Sequence, residues 1–564
     1  MPEPCTLQKR QIDSRLALHL QTLRPELTPL EASLLAARGV GGVDPAVPVL
    51  LQRPLKDLEA GAGRIADAIE HKQRIVVVAD YDCDGATSCA VAVAGLTALG
   101  GRVGYVVPDR MVHGYGISAS VVDLALERHP DAKVLVTVDN GILGHAGIDY
   151  AGQRGLDVVV TDHHLPGDSI PNAVAVIDPA RADCPGDLPK LAGVGVALWL
   201  VVATKKALTE RGATLPALTF LLPYVAVGTV ADMVGLDEAN RALVSVGLDL
   251  MRKGLAPTGI KALIQEAGSV GAYLTTQDIG FGLGPRINAA GRLETMDAGI
   301  ELLLAQDASR AAELARMLTK TNEERKKLQR DATEEVTFSL EFGFRPEMRS
   351  IVRGSADWHP GIVGLVASRL KENFFRPSFV FALTEGGAPK GSGRSIPGFH
   401  LKDALEEVAR RAPGVLVKFG GHAMAAGATL RDSEALYEFS EVFEEVAAER
   451  ITAAMLEQTL LSDGPMPTLE LEDAARILRH PWGQGFEAPA FDSDALIESV
   501  KPLGKDGKHW KIEARIDGST RKTFVVLFNH PEPIVGQSVR LYLQPGLNTW
   551  KEKTSLQWLG RVLH

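Results

Sequence analysis

"RIVVVADYDCDGATS", residues 74 to 88, runs from β-branched residues directly into three aspartates, Asp80, Asp82 and Asp84, at every second position. The apolar run has the length of a strand buried on both faces, and "ATSCAVAVAGLTALG" after it has the texture of a packed helix. The same unit recurs downstream. "RVGYVVP" precedes "ISASVVDLALERH", "KVLVTV" precedes "GHAGIDYAGQRG", and "LDVVVT" and "AVAVI" follow. Short apolar runs alternating with helical stretches predict βαβ units, hence an α/β domain with a doubly wound parallel sheet. Ligands of such domains lie at the carboxyl ends of the strands.

Those ends carry the acids. Asp139 closes "VLVTV", while Asp162, His163 and His164 follow "DVVVT". Farther on, Asp232 follows the small and β-branched run "VAVGTVA". Parallel strands end on one edge, so these groups are expected to meet. So many carboxylates cannot all stay ionised a few ångströms apart without cations, and oxygen-rich sites with one or two imidazoles suit Mg²⁺ or Mn²⁺ better than zinc. Two such ions can activate a water and stabilise a leaving oxygen in phosphoester displacement. An EF-hand also begins DxDxDG, but the twelfth position from Asp80 is Val91, where a bidentate glutamate is needed. Strand-end aspartates often cap helices, yet capping does not call for adjacent histidines.

A chain of 564 residues exceeds one core and is expected to form several domains. Residues 1–70 read as an N-terminal helical segment and 71–305 as the first α/β domain. In 306–344, Leu314, Leu318, Thr321, Arg325, Leu328, Ala332 and Val336 follow the three- and four-residue spacing of one long connecting helix with a narrow seam. A second α/β unit is expected over 345–455. An acidic helical linker and a small all-β barrel, an OB-fold, are expected over 456–564.

The composition, 45% hydrophobic and 23% charged, is that of a soluble globular protein. No apolar run reaches the roughly 18 residues of a membrane span and "MPEPCTLQKRQ" has no apolar leader, so no membrane partner and a cytoplasmic location are expected. Four cysteines without CxxC spacing argue against disulfides and structural zinc. The formal charge of −10 is unevenly spread. Residues 501–564 hold eleven Lys and Arg against five Asp and Glu, which points to a polyanionic partner.

"DYDCDGATS", "VDNGI", "TDHHLPG" and "VADMV" resemble the successive motifs of the DHH phosphoesterase superfamily, named for the triplet at 162–164. Within it, "PDRMVHGYGIS", "GPRINAAGR", "GSADWHPGIVGLVASRL", "GSGRS" and "FGGHAMAAG" are similar to the bacterial RecJ exonuclease family. The resemblance runs from about residue 70 to the end and implies a DHH domain, a DHHA1 domain and an OB-fold. It implies two Mn²⁺ ions, with Mg²⁺ as the alternative, held by Asp80, Asp82, Asp84, Asp139, His163 and Asp232, with Asp139 as the bridge. The catalytic set is then Asp82, Asp84, Asp139 and His164, the last contacting the scissile phosphate or moving a proton.

In the second unit, "WHPGIVG" and "GGHAMAAG" are expected to set glycines ahead of helices. Gly420, Gly421, His359 and His422, with Ser392 and Arg394, would then grip phosphate. Arg110 is expected to help hold a terminal phosphate and Tyr115 to pack on a base or sugar, while Arg286 and Arg292 reach DNA phosphates or active-site acids. In the barrel, Lys508, Trp510, Lys511, Lys522, Trp550 and Lys551 are expected to track the strand by charge and stacking. The implied activity is two-metal, in-line 5′→3′ hydrolysis of single-stranded DNA to 5′-mononucleotides in repair and recombination. A single-strand-binding protein and a helicase are the accessory partners it brings in. Two competitors are a small-substrate enzyme of the same superfamily and a non-catalytic DNA-binding scaffold. The basic barrel argues against the first, and the intact acidic set against the second.

Overall fold

The computed structural model describes residues 5–109, 112–185, 187–188, 190–383, 387–504, 507–516, 522–550 and 553–563, and the side chains of 341, 342 and 550 are not part of that description. Strand β1 (Cys5–Lys9) opens the chain. The first α/β domain follows with β2 (Arg74–Ala79), β3 (Arg102–Val106), β4 (Ala132–Val138), β5 (Asp157–Thr161) and β6 (Ala175–Ile177). All pair in parallel in the order β3-β2-β4-β5-β6. The order reverses between β2 and β4, so their carboxyl ends, carrying Asp80 and Asp139, flank the crevice where such sheets bind ligands.

Alternation along each strand feeds two cores. Ile75, Val77 and Ala79 join the helices on one face, while Val76 and Val78 join Val121, Val122 and Ile148 on the other. Burial on both faces explains the uninterrupted apolar runs, because neither side of the strand meets water.

One helix, Ala308–Gly343, spans the junction to the second domain. Its first turns bury Ala311, Leu314, Ala315 and Leu318 in the first core, and its last bury Ala332, Val336 and Leu340 in the second. Leu328, expected on the seam, is 40% exposed, and the buried positions between the two cores are Thr321, Asn322 and Arg325. The seam turns polar there, buried but part of neither apolar core.

The second domain is a five-stranded sheet of β7 (Ile351–Ser355), β8 (Ser378–Ala382), β9 (Lys390–Arg394), β10 (Leu416–Gly421) and β11 (Ala425–Leu430), in the order β10-β11-β9-β8-β7. "GGHAMAAG" is therefore the turn of an antiparallel hairpin, β10 to β11, and Gly420 and Gly421 do not precede a helix. Its alanines favour a helix locally, but pairing with β9 fixes them as a strand.

Strand β12 (Gln458–Ser462) pairs in parallel with β1 at the chain's other end, so the first seventy residues are not purely helical. That pairing spans about 450 residues of sequence and has no local signature. Then β13 (Phe491–Leu503), β14 (His509–Ile516), β15 (Lys522–Leu527), β16 (Ser538–Trp550) and β17 (Lys553–Leu563) close a barrel in the order β13-β14-β15-β17-β16. Among the described residues, no helix is long and apolar enough to cross a membrane.

The N-terminal segment fastens the barrel linker to the first domain. Arg38 makes two bonds of 2.9 Å to the Asp463 carboxylate, donates to the carbonyls of Leu34, Glu487 and Ala488, and lies over the Trp482 ring at 5.0 Å. Both partners are almost fully buried. Arg38→Ala would leave the Asp463 charge buried with only Arg10 nearby, at 3.7 Å. The expected loss is about 3 kcal/mol in a urea titration followed by tryptophan fluorescence.

Candidate active site

The aspartate loop is built by the helix that follows it. Asp82 caps Cys83–Ala98, accepting the Gly85 N–H at 3.0 Å. Capping uses one oxygen, so Asp82 remains available to a cation as well. The Cys83 N–H is held by Asn288 Oδ1 at 2.9 Å, on the helix Gly284–Leu293. Asp84, one per cent exposed, is fixed by a second helix N-terminus, accepting from Gly193 N at 2.7 Å and Val194 N at 3.0 Å. Gly193 is required there, since a β-carbon would lie 2.8 Å from the Asp139 carboxylate.

Asp139 adopts φ 60°, a left-handed backbone that costs a non-glycine residue energy. Its own N–H donates to Thr161 O at 3.0 Å, and Asn140 Nδ2 ties the turn to Val78 O and Val138 O. The turn aims the carboxylate at His163, whose Nε2 is 3.0 Å from Asp139 Oδ1, 3.7 Å from Asp232 Oδ2 and 3.9 Å from Asp84 Oδ2. Asp232 does not end a strand. It caps the C-terminus of the helix Leu222–Ala231, whose β-branched residues are buried between neighbouring helices.

Two sets of ligand atoms result, Asp80 with Asp82 and Asp139, and Asp84 with His163 and Asp232; Asp139 also groups with His163 and His164. The electrostatics of this array demand a cation. Burial first, then mutual repulsion, pushes the carboxyls of Asp80, Asp84 and Asp139 well above the usual range, and Asp232 up to about 7. Burial, reinforced by the charge of His164, holds His163 down to about 4, so its imidazole is neutral. The Leu191 backbone bonds to that ring, while Nε2 is buried with no hydrogen-bond partner, which leaves Nδ1 as the donor. Asp80 Oδ1 and Asp139 Oδ1 are likewise buried and unsatisfied. An imidazole lone pair and carboxyl oxygens that face one another this closely need a proton or a cation among them, and an oxygen-rich set with one imidazole fits a divalent ion.

Asp162 has a different task. It accepts the N–H groups of Ile142, His163 and His164 and the His164 Nδ1, at 2.7 to 3.2 Å, and so orients both histidines. Burial would lower His164, but the Asp162 bond and the surrounding carboxylates outweigh it and raise it to about 9. The Tyr115 hydroxyl lies 3.3 Å from His164 Nδ1 and donates to Asp139 O at 3.3 Å.

The second domain faces this cluster. His164 is among the positive charges that, after burial, lower His422 on the β10–β11 hairpin. Along β9, Gly391 and Gly393 lie under the Phe381 and Phe379 rings, and the alternate residues Ser392 and Arg394 point the other way, toward Gly364 in the first turn of the helix Val363–Phe374. Arg394 Nη1 donates to Ser392 Oγ at 3.0 Å, and His359 Nδ1 accepts the Gly361 N–H. Arg292 Nη1 donates to Gly361 O at 3.2 Å and joins the two domains, whereas Arg286 turns to Thr319 on the long helix and to Gly282 O. Arg110 lies outside the described residues.

Comparison with known proteins settles the ancestry. Residues 74–229 match the DHH family N-terminal domain, 347–449 the DHHA1 domain and 463–561 the RecJ OB domain. The chain is 40% identical over 522 residues to the single-stranded-DNA-specific exonuclease RecJ of Salmonella typhimurium, covering 90% of each, and 41% over 556 residues to that of Dickeya dadantii, covering 95% and 93%. It belongs to the RecJ family. The crystal structure of RecJ in complex with Mn²⁺ from Thermus thermophilus superposes with a TM-score of 0.80 at 28% identity, over 99% of this chain and 78% of that one. A RecJ structure with Mg²⁺ from the same organism gives 0.76 at 26%, over 100% of this chain and 78% of that one.

The RecJ OB domain corrects the expected track. Trp510 is a core residue of the barrel, 8% exposed, with its indole N–H donated to His530 O, so it offers no face to a base. Alternation turns its neighbour Lys511 outward, over the exposed ring of Phe524 at 4.6 Å, and Phe528 is exposed nearby. Lys508 pairs with Glu334 on the long helix, and Lys522 with Glu498 and Glu513. The charge surplus after residue 501 is thus partly offset by acids within the barrel and on the long helix. Lys551 and the Trp550 side chain lie outside the described residues.

Among the groups that sequence reading missed, Gly193 and Val194 had a signal in "LAGVGVALWL", a glycine opening an apolar helix. Asn288 had none, because its partner is 205 residues away. Asp139→Asn removes one ligand together with the cost of burying an ionisable carboxyl among others. It is expected to raise the melting temperature of EDTA-treated protein by a few degrees and to abolish the further rise with Mn²⁺ expected of the unaltered chain.

Proposed function

We propose that this chain is a divalent-metal-dependent hydrolase that digests single-stranded DNA 5′→3′ to 5′-mononucleotides, in the repair and recombination of DNA in the cytoplasm. The observation that carries the reading is the unsatisfied, converging set of His163 Nε2 with the oxygens of Asp80 and Asp139. Two ions, Mn²⁺ or Mg²⁺, held by Asp80, Asp82 and Asp139 and by Asp84, His163 and Asp232 would supply an ionised water at neutral pH and neutralise phosphoryl oxygens.

The chain's own groups do the rest. His164, kept charged by Asp162, offers a proton across the cleft. Its role is to hold a non-bridging oxygen and then protonate the departing 3′-oxygen of the terminal nucleotide. Ser392 and Arg394, beside the first turn of Val363–Phe374, hold the 5′ phosphate, with His359 and His422 around them. Occupation of that pocket by a terminal phosphate would set the polarity, by presenting the 5′ end of the strand to the acids. Tyr115 packs on the first sugar. Lys511 and Phe524 hold the strand farther along, a need that small-substrate relatives do not have. A helicase and a single-strand-binding protein are the partners that would supply and present such a strand.

The test is nucleotide release from 5′- and 3′-labelled single strands under manganese titration. The unaltered chain should free the 5′ label first as a mononucleotide. Asp82→Ala and His163→Ala should abolish release, and His164→Ala should slow it by about 10²- to 10⁴-fold. Release of the 3′ label first, or metal-independent release, would overturn the assignment.

A further inference from the structure

The polar middle of the connecting helix serves neither domain core, and it buries a cation. Arg325 is 8% exposed. Its Nη atoms reach only the neutral side-chain oxygens of Asn322, at 2.9 Å, and Gln329, at 3.3 Å, and its Nε is buried with no partner. Among the described residues no carboxylate pairs with it. Burial, followed by the positive charge of Arg369 on the facing helix, holds the guanidinium below its ordinary value. Arg369 is itself exposed and paired with Glu372 at 2.8 Å, so the main cost is the burial of a guanidinium that has no carboxylate partner.

Its position says what would relieve that cost. Arg325 lies between the turns that enter the first core, ending at Leu318, and those that enter the second, beginning at Ala332. This is the stretch of helix between the two domains. Lys326 follows it and, after burial, is lowered by Arg286 and Arg325. Arg286 sits on the helix whose Asn288 anchors the aspartate loop. Two acids, Glu266 and Glu323, temper Arg286, and Glu323 also acts on Lys326, but neither acts on Arg325.

We propose that Arg325 is an internal phosphate subsite, which binds a phosphodiester of the strand as it passes from the acid cluster between the domains. The inference rests on the reading of single-stranded DNA as substrate and adds where that strand is held. The guanidinium is kept without an acidic partner because the DNA backbone supplies the anion, and Asn322 and Gln329 only orient it.

The test measures binding of a long labelled single strand by anisotropy, in EDTA to prevent turnover, over a range of salt, together with the melting temperature of the free protein. Arg325→Gln should weaken binding about tenfold at low salt, as expected for one charge-assisted contact. It should also flatten the dependence of log affinity on log salt by about 0.7, one phosphate's share on a single strand, while the melting temperature holds or rises. Arg325→Lys should recover most of the slope, and Arg316→Gln, exposed on the same helix, should change neither quantity. A variant that keeps the full slope, or that melts earlier or fails to fold, would overturn the subsite and assign Arg325 a structural role. If the unaltered chain shows no salt-dependent binding of single strands, the substrate reading itself falls.

Discussion

Five buried or half-buried carboxylates and a neutral imidazole occupy one small volume, and no arrangement of protein groups alone can make that comfortable. Every nearby element serves to hold them there against their repulsion. Two helix N-termini, those of Cys83–Ala98 and Gly193–Glu210, donate to Asp82 and Asp84. A left-handed turn aims Asp139, and Asp162 directs its hydrogen bonds at the two histidines. The protein accepts strain and repulsion at the carboxyl edge of its sheet in return for cation affinity, and two well-filled cores on the faces of that sheet sustain the arrangement.

The connecting helix transmits this order to the second domain. A helix of 36 residues that is apolar at both ends and polar in its middle behaves as a beam with two footings. It fixes the placement of the acid cluster relative to the second domain, where Ser392 and Arg394 lie on β9. The Arg292 contact with Gly361 ties the domains at a second point. The N-terminal segment plays the same part for the barrel, since Arg38 and strand β1 fasten the linker that precedes it.

Strand alternation does chemical work on β9. The period of two sends Gly391 and Gly393 under a cluster of phenylalanines and sends Ser392 and Arg394 toward a helix N-terminus. The same rule in the barrel separates adjacent residues, burying Trp510 and exposing Lys511. A sequence shows that two residues alternate, but which of the two faces inward depends on which side of the strand finds a core.

The sequence by itself determined the parallel sheet, the meeting of its strand-end acids and the long helix. Each rests on local periodicity, and an all-parallel sheet must bring its carboxyl ends to one edge whatever else the chain does. Tertiary structure alone decided that Asp232 arrives from a helix end, that "GGHAMAAG" turns a hairpin, that Cys5–Lys9 pairs with Gln458–Ser462, and that Arg325 is buried without an acid. Those outcomes depend on partners tens to hundreds of residues away, which the local periodicity of a sequence does not register.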